Sequence, residues 1–136
     1  GATINLPRLE KTGDVRAYQG ATINLPRLVE VTDSVLAYKG ATINLPRLVE
    51  VAGDVLAYQG ATINLPRLEK TGYVRAYEGA TINLPRLVEV TDSVLAYKGA
   101  TINLPRLEKT GYVRAYEGAT VAAPKLKLNN KNNETI

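Results

Sequence analysis

Gly-Ala-Thr-Ile-Asn-Leu-Pro-Arg-Leu, Gly1 to Leu9, is the phrase around which this 136-residue chain is built. It returns unchanged from Gly20, Gly40, Gly60, Gly79 and Gly99. A worn copy, Gly-Ala-Thr-Val-Ala-Ala-Pro-Lys-Leu, runs from Gly118 to Leu126. Successive copies start 19 or 20 residues apart. A fixed period of that length marks a solenoid, in which each repeat rests on its neighbours and none has a core of its own.

Two residues punctuate each repeat. The Gly that opens the phrase suits a sharp bend at positive φ, and the Pro near its end lacks the N–H that a mid-strand position needs. Between them, Thr3-Ile4-Asn5-Leu6 alternates polar and apolar residues, which reads as a short strand with Ile4 and Leu6 inward. After the Pro corner two variants follow. The short one is Leu9-Glu10-Lys11-Thr12-Gly13-Asp14-Val15, and the long one is Leu28-Val29-Glu30-Val31-Thr32-Asp33-Ser34-Val35. Aligning Val31 with Thr12 confines the extra residue to a turn, where length changes cost least. A last strand runs Val15-Arg16-Ala17-Tyr18. Arg16 shares its column with Leu36, so Val15 and Ala17 are the inward pair.

The expected core is therefore the columns of Ile4, Leu6, Leu9, Val31, Val15 and Ala17. No segment free of Gly or Pro is long enough for a helical repeat. The reading is all-β: a parallel β-solenoid, or β-helix, of about seven coils of 19–20 residues, stacked at ~4.8 Å. Charge agrees with this register. The column Lys11, Glu30, Glu50, Lys70, Glu89, Lys109 alternates in sign in every neighbouring pair except Glu30/Glu50, and such pairs fix register more than stability. Residues 1–117 form six coils, 118–128 a degenerate capping coil in which Ala122 and Ala123 replace Asn and Leu, and 129–136 a polar flexible tail. Asn133-Glu134-Thr135 also fits the glycosylation triplet.

The run Leu-Pro-Arg-Leu-Val-Glu-Val-Thr-Asp-Ser-Val resembles the Leu-Pro-x-Leu-x-x-Val-Gly-Gly-x-Val repeats of bacterial and phage solenoid proteins, which are leucine-rich-repeat-like. Thr32-Asp33, or a single Gly13, stands where that pattern has Gly-Gly. The resemblance implies a fold and a surface role, and no catalytic residue. The near-identity of the copies also resembles designed repeat scaffolds, and recent gene duplication gives the same appearance.

Composition narrows the function classes. Cys, His, Met, Trp and Phe are absent, which removes disulfides, thiol chemistry, imidazole catalysis and the usual zinc ligands. No apolar run is long enough to span a membrane, and no signal-peptide pattern is seen. The chain begins at Gly1 without an initiator Met, which reads as a processed, engineered or truncated start. There are 17 basic and 13 acidic residues. The stretch after Gly118 holds Lys125, Lys127 and Lys131 against Glu134, leaving 14 against 12 in the repeats. That balance, and the lack of a recognised motif, argue against nucleic acid even though Arg8, Arg27, Arg47, Arg67, Arg86 and Arg106 stack in line.

Three surfaces remain as candidates. Asp14, Asp54 and the Glu column recur in register, whereas an active site needs a unique constellation, so no enzymatic activity and no cofactor are expected. The outward face of the last strand carries every Tyr: Tyr18, Tyr38, Tyr58, Tyr77, Tyr97 and Tyr116 in one column, Tyr73 and Tyr112 in another. Between those columns stand Arg16, Leu36, Leu56, Arg75, Leu95 and Arg114. This face is a candidate for binding protein, glycan or a second copy of the chain; the alternative is a stacked ladder with Arg over the rings. The third surface is a Thr/Asn array: Thr22, Thr42, Thr62, Thr81 and Thr101 beside Asn24, Asn44, Asn64, Asn83 and Asn103. It resembles the Thr-x-Thr arrays of ice-binding solenoids, with Asn in place of the second Thr, and the competing reading is an amide ladder. The most plausible partner is the chain itself, through the Tyr/Leu face or the uncapped first coil, with no nucleic acid and no membrane. The reading as a whole is a structural repeat scaffold.

Overall fold

The phrase Thr-Ile-Asn forms a strand in each of six successive coils and Thr-Val-Ala forms the seventh, and these strands pair in parallel in chain order from Thr3–Asn5 to Thr120–Ala122. In this computed structural model residues 2–6, 8–126 and 133–135 are described. Among them there are three parallel sheets and no helix. The second sheet is built from two-residue strands, Lys11–Thr12, Glu30–Val31, Glu50–Val51, Lys70–Thr71 and Glu89–Val90, and a bridge from Glu89 to Lys109 extends it. The third runs from Val15–Ala17 to Val113–Ala115 and ends on Asn133–Thr135. The chain is an all-β parallel solenoid of about six turns with a seventh begun.

Each corner has its own chemistry. At the first, the Ala21 N–H donates to the Tyr18 carbonyl at 2.8 Å, and Gly20 sits at φ 73°. That is the positive φ which a type II turn demands at its third residue. The same bond and the same left-handed Gly recur in every later coil. At the second, the Leu28 N–H donates to the Leu25 carbonyl at 3.2 Å, with Pro26 in the turn position that its fixed φ favours. The third corner absorbs the length difference. Its register matches the alignment expected from the sequence, with Thr12 opposite Val31 and Thr71 opposite Val90.

The core is what the alternation predicts. From the second coil onward the Ile, Leu, Leu, Val/Thr, Val and Ala columns are buried or nearly so, and like side chains stack on like. Thr71 takes a Val position at 1% exposure, and its hydroxyl donates to the Gly53 carbonyl at 3.0 Å. A seventh column was not anticipated. Ala21, Ala41, Ala61, Ala80 and Ala100, directly after each corner Gly, are also buried.

The two ends differ. Ile4 and Leu6 are 42% and 50% exposed, against 4% for both Ile23 and Leu25 one coil up, because no coil lies beneath them. At the other end Val121, Ala123 and Leu126 pack half-buried on the core. The strand Asn133–Thr135 pairs with Val113–Ala115. The remainder of the expected tail, 129–132 and 136, lies outside the described residues, as do residues 127 and 128.

Candidate functional site

The outward face of the third sheet gathers every candidate interface residue. Tyr18, Tyr38, Tyr58, Tyr77, Tyr97 and Tyr116 follow the strand ends and stack as one column, with ring centroids 4.8–5.4 Å apart and planes within 4° of parallel. That geometry follows from the fold, since a parallel in-register sheet repeats each side chain at strand spacing. It decides what the rings can do. Sandwiching a flat group between two rings needs roughly 7 Å, twice the contact distance, so the interior rings have no face open to a sugar or a base. They present edges and hydroxyls. Tyr18, 64% exposed, has an uncovered outer face.

The middle column mixes Arg and Leu, with Arg16↔Leu36↔Leu56↔Arg75↔Leu95↔Arg114 in register. Leu95 has Arg on both sides and is only 5% exposed, while Leu36 and Leu56, each with one Arg neighbour, are half-buried. Long Arg stems shield neighbouring apolar surface, so the open apolar strip is narrower than the sequence suggests.

Arg75 is clamped within its own strand. Its Nη1 donates to the Tyr77 hydroxyl at 2.9 Å and its Nη2 to that of Tyr73 at 2.8 Å. The guanidinium lies 4.6 Å from the Tyr73 ring centre and 5.8 Å from that of Tyr77. The bond to Tyr77 raises the Arg75 pKa, burial opposes the rise and Tyr73 adds to it. Arg114 lies 5.1 Å over Tyr112. In the first coil Asp14 takes the place of Tyr73, and Arg16 pairs with its carboxylate at 3.1 Å, which raises the Arg16 pKa. Burial pushes the Tyr58 and Tyr97 hydroxyls above the ordinary phenol value.

Between this tyrosine column and the next residue of each coil runs a groove of about 1010 Å³. Tyr18, Tyr38, Tyr58, Tyr77, Tyr97 and Tyr116 line it together with Gln19, Lys39, Gln59, Glu78, Lys98 and Glu117. It extends the length of the stack and its lining is mainly apolar. No single sequence position signals it, because it forms only when the corners stack.

The Thr/Asn array sits on the first sheet as expected, and Thr22, Thr42, Thr62, Thr81 and Thr101 are half-buried. Its amides are engaged with one another. Asn44 donates to Asn24 at 3.1 Å, Asn64 to Asn44 at 2.8 Å, Asn83 to Asn64 at 2.7 Å, and Asn103 to Asn83. The ladder reading of the Asn column is therefore what the structure shows.

The acidic candidates lie at the third corner. Asp14 Oδ1 accepts the Ser34 N–H at 3.0 Å, Ser34 Oγ accepts the Asp54 N–H at 3.0 Å, and Ser93 Oγ accepts the Tyr112 N–H at 3.3 Å. This column caps backbone donors of the next coil, a role that alignment by residue type did not reveal. Burial, with the Asp92 charge adding, raises the Asp54 pKa against the pull of Arg75. Asp14 and Asp54 do not line the tyrosine groove, and no three acidic residues converge among the described residues.

No protein-family model, curated protein or solved structure matches this chain.

Proposed function

We propose that this chain is a non-enzymatic structural repeat scaffold that joins to a second copy through its first coil. The observation that carries this is the exposure of Ile4 and Leu6, whose counterparts in the next coil are buried. Among the described residues, three strands, Thr3–Asn5, Lys11–Thr12 and Val15–Ala17, also have one edge each without a paired strand. Free parallel edges recruit further strands, and the exposed Ile and Leu add an apolar floor. Two first coils meeting about a two-fold axis close the contact as a dimer. The periodic lateral faces support a scaffold better than a catalyst, because the Asn amides and the third-corner Asp and Ser recur in register and bond to the coil above or below.

Sedimentation over a concentration series tests this. The unaltered chain is expected to shift from one to two copies with rising concentration, and Ile4→Lys with Leu6→Lys to remain single. A chain monomeric throughout overturns the reading. The Leu-Pro-x-Leu repeats of bacterial and phage solenoids, which the sequence resembles, fit the same role. A glycan platform on the Tyr face is the weaker alternative, since sugars stack on ring faces and these rings cover one another.

A further inference from the structure

One column of charge keeps a single sign from end to end. Each Pro corner is followed by Arg, from Arg8 to Arg106. The worn copy keeps a cation there, Lys125, although its strand has changed to Val121, Ala122 and Ala123. The other charged columns mix signs or are interrupted by uncharged residues. Arg27, Arg47, Arg67, Arg86 and Arg106 are all exposed, and among the described residues none makes a hydrogen bond or ion pair. Like charges on neighbouring strands repel, so the row costs stability and no acid in contact with it offsets the cost.

A second groove, of about 290 Å³, runs beside this row. Asn24, Asn44 and Asn64 line it with Pro26, Pro46 and Pro66, and each of these Pro residues directly precedes an Arg of the row. In their ladder the Asn44 and Asn64 amides each use one N–H and one oxygen site. An amide has two of each, so one donor and one acceptor remain. A sugar hydroxyl donates and accepts, which matches that pair, and the Pro rings offer apolar surface to its C–H face. Charge selects this side of the row. The Ala-Thr-Ile-Asn-Leu run of every complete copy is uncharged. Across the row stand Glu10, Glu69 and Glu108, then the mixed column of Lys11, Glu30, Glu50, Lys70, Glu89 and Lys109, together a net −3 against the six Arg. An anionic polymer is drawn to the row and pushed from the glutamates toward the groove.

We propose that the arginine row and this groove bind a linear acidic polysaccharide, a glycan with one carboxylate on each sugar, laid along the solenoid axis with carboxylates on Arg27, Arg47 and Arg67. The guanidinium groups repeat at the coil spacing of ~4.8 Å. An extended 1,4-linked glycan advances close to that distance per sugar, so one carboxylate meets one guanidinium in each coil. Guanidinium matches carboxylate in a two-bonded fork. A nucleic-acid strand fits less well, because bases stack on aromatic rings and this groove is lined by none. Polyphosphate has no hydroxyl along its chain for the amide oxygens.

Oligogalacturonate is the probe, titrated by calorimetry into the full chain at low salt. Saturable binding is expected, and the fully methyl-esterified oligomer, with the same sugars and no charge, should not bind. With three carboxylates engaged, a fourfold rise in salt should weaken binding about twentyfold. Arg47→Gln with Arg67→Gln should weaken it roughly tenfold, within the range for two exposed ion pairs. Both side chains are exposed, so the fold survives their loss. Lys39→Gln with Lys98→Gln removes the same charge from the tyrosine groove and should leave binding nearly unchanged. Polyphosphate and single-stranded oligothymidylate of equal charge should bind more weakly than the glycan. No saturable binding overturns the proposal, as does a lysine variant that loses as much as the arginine variant. Equal or tighter binding of polyphosphate or oligothymidylate overturns the choice of a glycan.

Discussion

A single side chain in this fold is judged by the columns it joins, because each position is copied through the stack. Leu65 is fully buried while Thr62, three residues earlier, faces out. Leu65→Ala should cost on the order of 2–5 kcal/mol, as buried Leu truncations do. Thr62→Ala should cost far less, and denaturant midpoints of the two variants measure the gap. Equal midpoints would contradict the inward assignment. Glycine gives a sharper contrast at the third corner. A Cβ on Gly53 would stand 2.6 Å from the Asp33 carbonyl oxygen and 2.5 Å from Ser34 Oγ, because Gly53 stacks directly on the coil beneath. At Gly13 nothing lies within 4 Å and φ is not positive. Gly53→Ala should therefore destabilise by about 1–3 kcal/mol through crowding. Gly13→Ala should be neutral or gain about 0.4–1 kcal/mol through the unfolded chain. Two variants of the same sign and size would show that crowding does not govern this corner.

Ladders are the unit at the next scale, and two of them dominate the surface. The tyrosine ladder predicts an alkaline limit. Tyr58 and Tyr97 have pKa values raised in the folded chain, mainly by burial. Folding thus favours the neutral phenol, and this contribution is whole below the unfolded value of about 10 and lost as pH climbs through the higher folded values. The denaturant midpoint should fall above about pH 10, and fall less steeply in Tyr58→Phe with Tyr97→Phe. Identical pH profiles for the two proteins would contradict the assignment. Much of this was legible in the sequence, because a residue repeated every 19 or 20 positions in a parallel solenoid must stack on itself. The Tyr columns, the Asn column and the Lys11/Glu30 register all follow from that rule, and Lys11 and Glu30 approach to 3.7 Å. Features decided between neighbouring columns were not legible. The burial of the Ala21 column depends on how the Gly corner turns the chain inward. The cover over Leu95 depends on the reach of Arg75 and Arg114. The caps at Asp14, Ser34 and Ser93 depend on which backbone N–H the longer coil brings within range. The groove depends on all the corners at once, so no residue by itself could announce it.

For the whole molecule, the proposed self-association turns on how the first and last described coils differ. At the first coil Ile4 and Leu6 are exposed, and among the described residues three strand edges have no paired strand. At the last coil the pattern is interrupted. Val121 and Ala122 oppose Ile102 and Asn103, so the apolar column shrinks and the amide ladder stops at Asn103. The strand Asn133–Thr135 lies along Val113–Ala115 and occupies the edge of the third sheet. On the proposed reading, a first coil approaching from another copy meets an added strand of different sequence and a mismatched core, so contact between two first coils is expected to be favoured over head-to-tail growth. Removing residues 127–136 takes away the added strand and makes Val113–Ala115, a strand of the repeat itself, the edge open to pairing. The shortened chain should then grow into longer fibres, seen as rising turbidity and by electron microscopy, and Ile4→Lys in the same background should suppress them by charging the approaching face. If the shortened chain stays as dispersed as the parent, the strand at 133–135 is not what limits growth.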